Sequence, residues 1–220
     1  MKRNLLILSG PTHEYIDPVR FIGNASSGKM GKALAEEAAQ RGYKVELVTG
    51  PVAEENLPTG KNIYIHKVVS AEEMLSKARE LFQSSETILF AAAVADYAPA
   101  EKLDQKMNKS TKNLVLHLRP TPDIAQTLCS QKQPEQVAIG FALQTEKGQK
   151  NAHRKLTVKN LDGIVLNTPA TLGANDGIFS YLAAGAEGFD EWGCIGKTDC
   201  ARRILDAAER QGRLKNLPHN

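Results

Sequence analysis

The segment at residues 17–31 constrains the fold more than any other part of this sequence. It is Asp-Pro-Val-Arg-Phe-Ile-Gly-Asn-Ala-Ser-Ser-Gly-Lys-Met-Gly. The apolar run at residues 5–8 before it predicts a buried parallel strand, and apolar residues at helical spacing after it predict a helix over residues 29–40. Open α/β sheets hold phosphorylated ligands where a strand leads into a helix, because the helix N-terminus presents unpaired N–H groups and a positive dipole end. The segment therefore predicts a phosphate-binding turn.

Apolar and turn patterns along the rest of the chain predict alternating strands and helices. The predicted strands are at residues 45–48, 62–68, 87–94, 137–141 and 163–167, and the predicted helices at residues 70–82, 123–130, 148–159 and 199–211. This order is typical of a doubly wound, mostly parallel, Rossmann-like α/β sheet. We expect one domain over residues 1–220, with a lysine-rich flap or dimerisation arm at about 98–120 that contains an alternating strand at 114–118. The Gly/Ala-rich residues 168–193 remain unassigned.

Composition excludes several function classes. The chain has 220 residues, 41% hydrophobic and 24% charged, with a net charge of +3, which is typical of a globular protein and gives no indication of nucleic-acid binding. Three cysteines without a Cys-x-x-Cys pair predict free thiols in a reducing compartment. The N-terminal apolar run is too short for a signal peptide or a membrane span. We expect a cytoplasmic protein with no membrane or nucleic-acid partner.

The polar residues of the opening segment have two interpretations each. Arg20 and Asn24 either bind a ligand, as a guanidinium for phosphate or carboxylate and an amide for a carbonyl, or stabilise the loop by pairing with backbone groups. Ser26, Ser27 and Gly28 either cap the following helix or hold a phosphate. Capping and phosphate binding use the same geometry, so spacing alone leaves both open.

Three further groups also have alternative roles. Small residues around Ala93 allow a ligand to approach the end of a strand, where Asp96 either contacts ribose or metal or caps the next element. The flap lysines either form a solvated face or place one lysine over a triphosphate; they are Lys102, Lys106, Lys109 and Lys112. Lys155 and Lys159 repel each other mildly on one helix face, which indicates either an anion site or an ordinary surface helix.

Taken in order, these segments resemble the phosphopantothenoylcysteine synthetase (phosphopantothenate–cysteine ligase) family. The matching segments are residues 9–14, 17–20, 24–31, 48–52, 92–97, 106–109, 121–124, 140–142 and 155–162. They cover residues 4–167, and the resemblance is to a stand-alone form, without the flavin-dependent decarboxylase to which many members are fused.

The resemblance implies a two-step ligation in coenzyme A biosynthesis. The carboxylate of 4′-phosphopantothenate attacks the α-phosphorus of a nucleoside triphosphate, CTP or ATP, and the amine of cysteine then opens the acyl-nucleotide. It also implies Mg²⁺, no flavin, small-molecule substrates and a homodimer. Charge neutralisation and positioning are the main demands of the first step.

The resemblance also implies roles for individual residues, and it does not identify metal ligands. Asn24 would hold the acyl-nucleotide, Arg20 would serve the second half-reaction, and Lys106 would reach the triphosphate from the flap. The implied nucleotide-binding residues are Ala93, Asp96, Lys106, Pro122, Asp123, Ile124, Ala125, Phe141, Lys155 and Lys159. The implied phosphate-binding residues are Ser26, Ser27, Gly28 and Lys29.

Two positions depart from the family's usual pattern. Asn108 stands where a flap lysine is usual, which lowers the charge of the flap. Gln144 stands where a glutamate usually precedes threonine, and this weakens the inference of CTP preference more than that of the reaction class.

Two other classes of protein share parts of this pattern. An NAD(P)-dependent reductase of doubly wound fold predicts a glycine-rich first turn and a Tyr-x-x-x-Lys pair. Here Gly10 stands alone, and neither Tyr43 nor Tyr97 has a lysine four residues later. A non-catalytic nucleotide- or flavin-binding module would tolerate the loss of Asn24 or Lys106, and both are present.

Overall fold

A mostly parallel sheet of eight strands forms the centre of the computed structural model, which describes residues 3–109, 111, 113–143, 148–171 and 173–216. Within those ranges the strands are β1 Asn4–Ser9, β2 His13–Asp17, β3 Arg20–Gly23, β4 Lys44–Thr49, β5 Ile63–Lys67, β6 Thr87–Phe90, β7 Tyr97–Pro99, β8 Leu118–Pro120, β9 Val137–Leu143, β10 Gly163–Asn167, β11 Asp176–Ala183 and β12 Asp190–Gly196. The helices are α1 Lys29–Gln40, α2 Ala71–Phe82, α3 Ile124–Cys129, α4 Gly148–Val158 and α5 Lys197–Lys215.

The strand order of the large sheet is β12-β11-β10-β9-β6-β1-β4-β5. Neighbours from β5 through β10 pair in parallel, and the hairpin β11–β12 adds two antiparallel strands at one edge. Two short ribbons, β2–β3 and β7–β8, lie outside this sheet. The predicted doubly wound, Rossmann-like sheet is confirmed.

The apolar run in β1 is continuous because both faces of the strand are covered. Leu5 and Ile7 pack in the apolar cluster on one side of the sheet, and Leu6 and Leu8 in the cluster on the other. Helices α1 and α5 cover the first side, and helices α2, α3 and α4 cover the second. A parallel strand buried on both faces needs apolar residues at every position.

Local signals set the ends of the helices. Ser70 Oγ accepts the N–H of Glu73 at 3.2 Å, and Glu73 Oε2 accepts the N–H of Val69 at 2.8 Å, so side chains satisfy two free N–H groups at the start of α2. The predicted helix over 70–82 is confirmed. No helix among the described residues has both the length and the apolar character needed to cross a membrane.

The structure corrects three predictions about regular structure. The strand predicted over 87–94 ends at Phe90, because Ala93 and Ala95 donate their N–H groups to Gly10 O at 2.9 Å and Thr12 Oγ1 at 3.0 Å in the loop after β1. The unassigned residues 168–193 contain β11 and the first part of β12, and α5 is longer than the predicted helix 199–211.

The third correction concerns the flap. Of the predicted alternating strand at 114–118, only Leu118 lies in a strand, β8, which pairs with β7. Leu114 and Val115 are 65% and 74% exposed. An alternating pattern forms a strand only where a partner supplies hydrogen bonds, and within the described residues only the short strand β7 does so for this segment. A homodimer that pairs through these residues stays a prediction.

Two glycines inside helices give a matched test of the packing between α1 and β1. A Cβ added at Gly31 would lie 1.8 Å from Ser9 Oγ and 2.4 Å from Ser9 Cβ, whereas a Cβ added at Gly212 would approach Val137 Cγ2 no closer than 3.8 Å. We expect Gly31→Ala to lower the free energy of unfolding by about 1–3 kcal/mol or more through overpacking. We expect Gly212→Ala to raise it by up to about 1 kcal/mol, because alanine favours helix over glycine.

Urea unfolding of both variants measures this difference. Ser9→Gly removes both clashing atoms, so combining it with Gly31→Ala should recover part of the lost stability. Equal stability of the two alanine variants would show that α1 does not press on β1 in this way.

Candidate active site

A cavity of about 720 Å³ opens at the carboxyl ends of the central strands. It lies beside β1, where the strand order changes direction: β4 is on one side of β1, and β6 is on the other. Leu8, Phe90 and Phe141, from three neighbouring strands, line it. Ligands of open α/β sheets bind at this kind of switch point.

The start of α1 forms one wall of the cavity. Gly28 is the N-cap residue with φ +76°, and no side chain of the described residues caps the helix. A Cβ at Gly28 would also lie 2.7 Å from Val52 Cγ1, so this position requires glycine for both conformation and space. The capping role considered for Ser26 and Ser27 is therefore wrong. The first-turn N–H groups lie at a wall where an anion can accept them.

Asn24 joins this wall to the residues that follow β6. Its Nδ2 donates to Val94 O at 2.8 Å and lies 3.5 Å from Ala93 O. The hydrogen bond fixes the orientation of the amide beside the cavity, which Asn24, Ala93 and Val94 all line. That Asn24 contacts a ligand stays a prediction.

Two carboxylates and two lysines also line the cavity. Asp123 accepts the N–H of Gln126 at 3.1 Å as the cap of α3, and its Oδ2 lies 2.9 Å from Lys159 Nζ. Burial lowers the pKa of Lys155, and the charge of Lys159 lowers it further, while Asp96 and Asp123 oppose the shift. Lys155 is thus a partly desolvated cation that a bound anion would stabilise.

A second pair of lysines holds the loop before β11. Lys29 Nζ donates to Gly173 O and to Asn175 Oδ1, each at 2.9 Å. Lys197 Nζ, from the first residue of α5, donates to Thr171 O at 3.0 Å and to Ala174 O. Burial and the charge of Lys29 lower the pKa of Lys197. Both lysines line the cavity, and so do Thr171 and Gly173 of the segment 168–193 that the sequence left unassigned.

The cavity brings together all but two of the predicted site residues. Those that line it are Asn24, Ser26, Ser27, Gly28, Lys29, Ala93, Asp96, Pro122, Asp123, Ile124, Ala125, Phe141, Lys155 and Lys159. Arg20 and Lys106 are not among its lining residues; Arg20 instead binds Asp17 and Met107 O, and Lys106 is exposed on the flap. Asn108 is also exposed there, whereas Gln144 and Lys112 lie outside the described residues.

Sequence reasoning missed several lining residues from the second half of the chain. They include Asn167, Thr171, Gly173, Phe179 and Lys197. Asn167 ends a correctly predicted strand. Polar residues at the carboxyl ends of parallel strands are candidate ligand contacts, and this rule, which pointed to Asp96, could also have identified Asn167. Lys197 has no local signal, because only the fold brings the start of α5 to the loop before β11.

The chain matches the family described as DNA/pantothenate metabolism flavoprotein C-terminal domain over residues 1–211. It belongs to this family.

Named relatives agree with the family match. The bifunctional coenzyme A biosynthesis protein CoaBC of Bacillus subtilis is 42% identical over 175 residues, which are 80% of this chain and 42% of that protein. A protein named cysteine/cysteine sulfinic acid decarboxylase, from an unknown prokaryotic organism, is 46% identical over 175 residues, 80% of this chain and 48% of that protein. The chain thus spans less than half the length of these relatives.

The fold matches that of a solved structure over nearly the whole chain. The crystal structure of the C-terminal domain of CoaBC superposes with a TM-score of 0.80 and 35% sequence identity. The match covers 98% of this chain and 97% of that domain. The eight-stranded sheet with its flanking helices is therefore the fold of the CoaBC C-terminal domain.

The loop before β11 gives a prediction that can be measured without substrate. We expect Lys197→Met to raise amide hydrogen exchange at residues 171 and 197, whose N–H groups donate to Thr168 O and Asn175 O, by about tenfold or more, because Thr171 O and Ala174 O lose a charged donor. Lys67→Met, at an exposed lysine paired with Glu54, is the matched control and should leave exchange at these two amides unchanged. Unchanged exchange in Lys197→Met would show that Lys197 does not hold this loop.

Proposed function

We propose that this protein joins 4′-phosphopantothenate to L-cysteine through an acyl-nucleotide intermediate, as a ligase of coenzyme A biosynthesis. The observation that carries the proposal is the convergence of the uncapped start of α1 with four lysines in one cavity at the switch point of the sheet. Those lysines are Lys29, Lys155, Lys159 and Lys197. The family match and the relatives named CoaBC support the same assignment.

The first half-reaction needs positioning and charge neutralisation. The carboxylate of phosphopantothenate attacks the α-phosphorus of the nucleoside triphosphate, and pyrophosphate leaves. Ser26 to Lys29 would donate hydrogen bonds to phosphate oxygens at the start of α1, while Lys155 and Lys159 would balance charge. Lys106 would reach the triphosphate from the flap.

The second half-reaction transfers the acyl group to an amine. The neutral amine of cysteine attacks the acyl carbon, the nucleoside monophosphate leaves with the bonding electrons, and the amine loses a proton. Asn24 would hold the acyl-nucleotide through its fixed amide. Because the leaving group is already activated, the protein's main contribution is to hold the intermediate and exclude water.

The cavity also offers a place for Mg²⁺ that enters with the triphosphate. Mg²⁺ is usually held by one or two carboxylates together with substrate phosphates, and Asp96 and Asp123 line the cavity. Asp123 is already paired with Lys159, so Asp96 is the better candidate ligand. When bound, Mg²⁺ would neutralise charge on the phosphates.

The nucleotide base and the assembly state are part of the same proposal. The turn at residues 122–125 and Phe141 line the cavity and would hold the base, with CTP favoured and ATP as the alternative. The exposed apolar residues Leu114 and Val115 support a homodimer formed through the flap. The substrates are small soluble metabolites, which supports a cytoplasmic location.

The test is an assay of pyrophosphate release by the purified protein with Mg²⁺, phosphopantothenate and cysteine, with CTP and ATP supplied separately. We expect pyrophosphate and phosphopantothenoylcysteine in equal amounts with at least one nucleotide. No pyrophosphate with either would contradict the ligase. Carbon dioxide released from cysteine without nucleotide would instead favour the activity named for the decarboxylase relative.

A variant at Asn24 ties that activity to the cavity. Asn24→Asp should abolish most of the activity, because a carboxylate would lose the hydrogen bond to Val94 O and repel the phosphates. Asp199→Asn, at an exposed carboxylate paired with Arg202, is the control and should retain full activity.

The lowered pKa of Lys155 predicts how nucleotide binding depends on pH. A lysine whose pKa is lowered loses its charge at lower pH than an ordinary lysine, and arginine stays charged throughout. We therefore expect the dissociation constant of the wild type, relative to that of Lys155→Arg, to increase as the pH rises toward the ordinary lysine pKa of about 10.4. Calorimetric titration with CTP or ATP measures this ratio, and a constant ratio would contradict a charge role for Lys155. Lys67→Arg, at an exposed lysine, should show no such trend.

A further inference from the structure

A buried carboxylate at the tip of the β2–β3 ribbon binds the flap. The side chain of Asp17 is fully buried. Its Oδ1 accepts the N–H groups of Val19 and Arg20, each at 2.9 Å, which closes the turn between the two strands. Its Oδ2 accepts the N–H of Met107 at 3.1 Å and the guanidinium of Arg20. Oδ1 of Asp17 therefore stabilises the turn, and Oδ2 binds the flap and Arg20.

Arg20 completes the contact with the flap. Its Nη1 also donates to Met107 O at 3.2 Å, so Asp17 and Arg20 together bind both backbone polar groups of Met107. We call this arrangement, formed by Asp17, Arg20 and Met107, the Met107 clamp. A second tie lies nearby, where Leu103 donates its N–H to Ile16 O at 2.9 Å. The flap is therefore fastened to the ribbon rather than free in solvent.

The clamp remains charged under ordinary conditions. Burial alone would raise the pKa of Asp17, but the N–H groups of Val19 and Met107 and the bonds from Arg20 outweigh it, and the pKa is lowered. A charged acceptor makes stronger hydrogen bonds than a neutral one. Asp17 binds the N–H of Met107 while Arg20 binds its carbonyl oxygen, so the carboxylate and the guanidinium must keep a fixed relative orientation. A lysine at position 20 lacks the planar fork of donors that maintains this orientation.

The position of the clamp in the chain gives it a functional consequence. Met107 directly follows Lys106, the flap lysine of the proposed reaction, while neither Arg20 nor Lys106 lines the cavity. We propose that Asp17 and Arg20 are positioning residues that fix the flap at Met107 and so set how far Lys106 reaches toward the bound triphosphate. This inference rests on the proposed function. It assigns to Arg20 an effect exerted through the flap rather than through contact with the reacting carboxyl group.

Asp17→Asn separates the two tasks of the buried carboxylate. The asparagine oxygen can still accept the N–H groups of Val19 and Arg20 and so preserve the turn. Its NH₂ group would then face the N–H of Met107 and the guanidinium of Arg20, where only donors are present. Arg20→Lys loosens the same contact without changing the buried carboxylate, and Asp199→Asn makes the same chemical change in an exposed ion pair.

The first measurement follows the flap itself, without substrates. We expect Asp17→Asn to raise amide hydrogen exchange at Met107 by about tenfold or more, since the N–H of Met107 loses its charged acceptor. Arg20→Lys should raise it by a smaller factor, since it weakens only the bond to Met107 O. Asp199→Asn should leave it unchanged. Unaltered exchange at Met107 in both clamp variants would overturn the proposal, whether or not the protein is a ligase.

The second measurement asks whether the clamp acts through Lys106. We expect Asp17→Asn to lower kcat/KM for pyrophosphate release by about tenfold or more in the wild-type background, but by less than about twofold in Lys106→Gln, because coupled residues are not additive. Equal losses in the two backgrounds would show that the clamp acts elsewhere. A wild type without activity would refute the proposed function, while the exchange measurement would still decide on the clamp.

Discussion

The close packing of α1 on the end of β1 is the constraint on which the cavity depends. Gly31, in the first turn of α1, lies against Ser9, the last residue of β1, so closely that no side chain fits between them. Gly28 turns the chain into the helix in a left-handed conformation and leaves its first turn without a capping side chain. The unpaired N–H groups are therefore held at the strand ends. If a side chain at position 31 pushed α1 away from β1, the same N–H groups would face solvent instead of the cavity.

Burying several lysine side chains near the start of α1 costs free energy, and hydrogen bonds to neighbouring oxygens offset part of that cost. Lys29 and Lys197 donate to the loop before β11, and Lys159 pairs with Asp123. Lys155 is balanced less completely, as its lowered pKa shows. A polyanionic ligand would supply the missing negative charge, so the electrostatic balance of the cavity favours phosphate-rich substrates over neutral ones. The loop that holds two of the lysines is then as much a part of the site as the helix.

The sequence was most informative where the decisive interactions are local. The end of β1, the whole of α1 and the cap of α2 at Ser70 follow from periodicity, burial on both faces and hydrogen bonds within a few residues. Strands β11 and β12 could not be predicted in this way, because they contain Gly177 and Gly193, are partly exposed, and are defined by their mutual pairing. The contribution of Lys197 was hidden for the same reason: it arises from contacts that only the assembled sheet creates.

Arg20 shows how two roles that the sequence leaves open can be combined in one structure. Spacing allowed either a ligand-binding cation or a residue that stabilises a loop, and the contacts with Asp17 and Met107 are those of the second role. The loop in question, however, belongs to the flap that carries Lys106. An arginine can bind a carboxylate and a carbonyl oxygen at the same time, so it can hold a loop in one orientation. On the proposed function, Arg20 would influence chemistry in a cavity that its own side chain does not line, because it would restrict the positions that Lys106 can occupy.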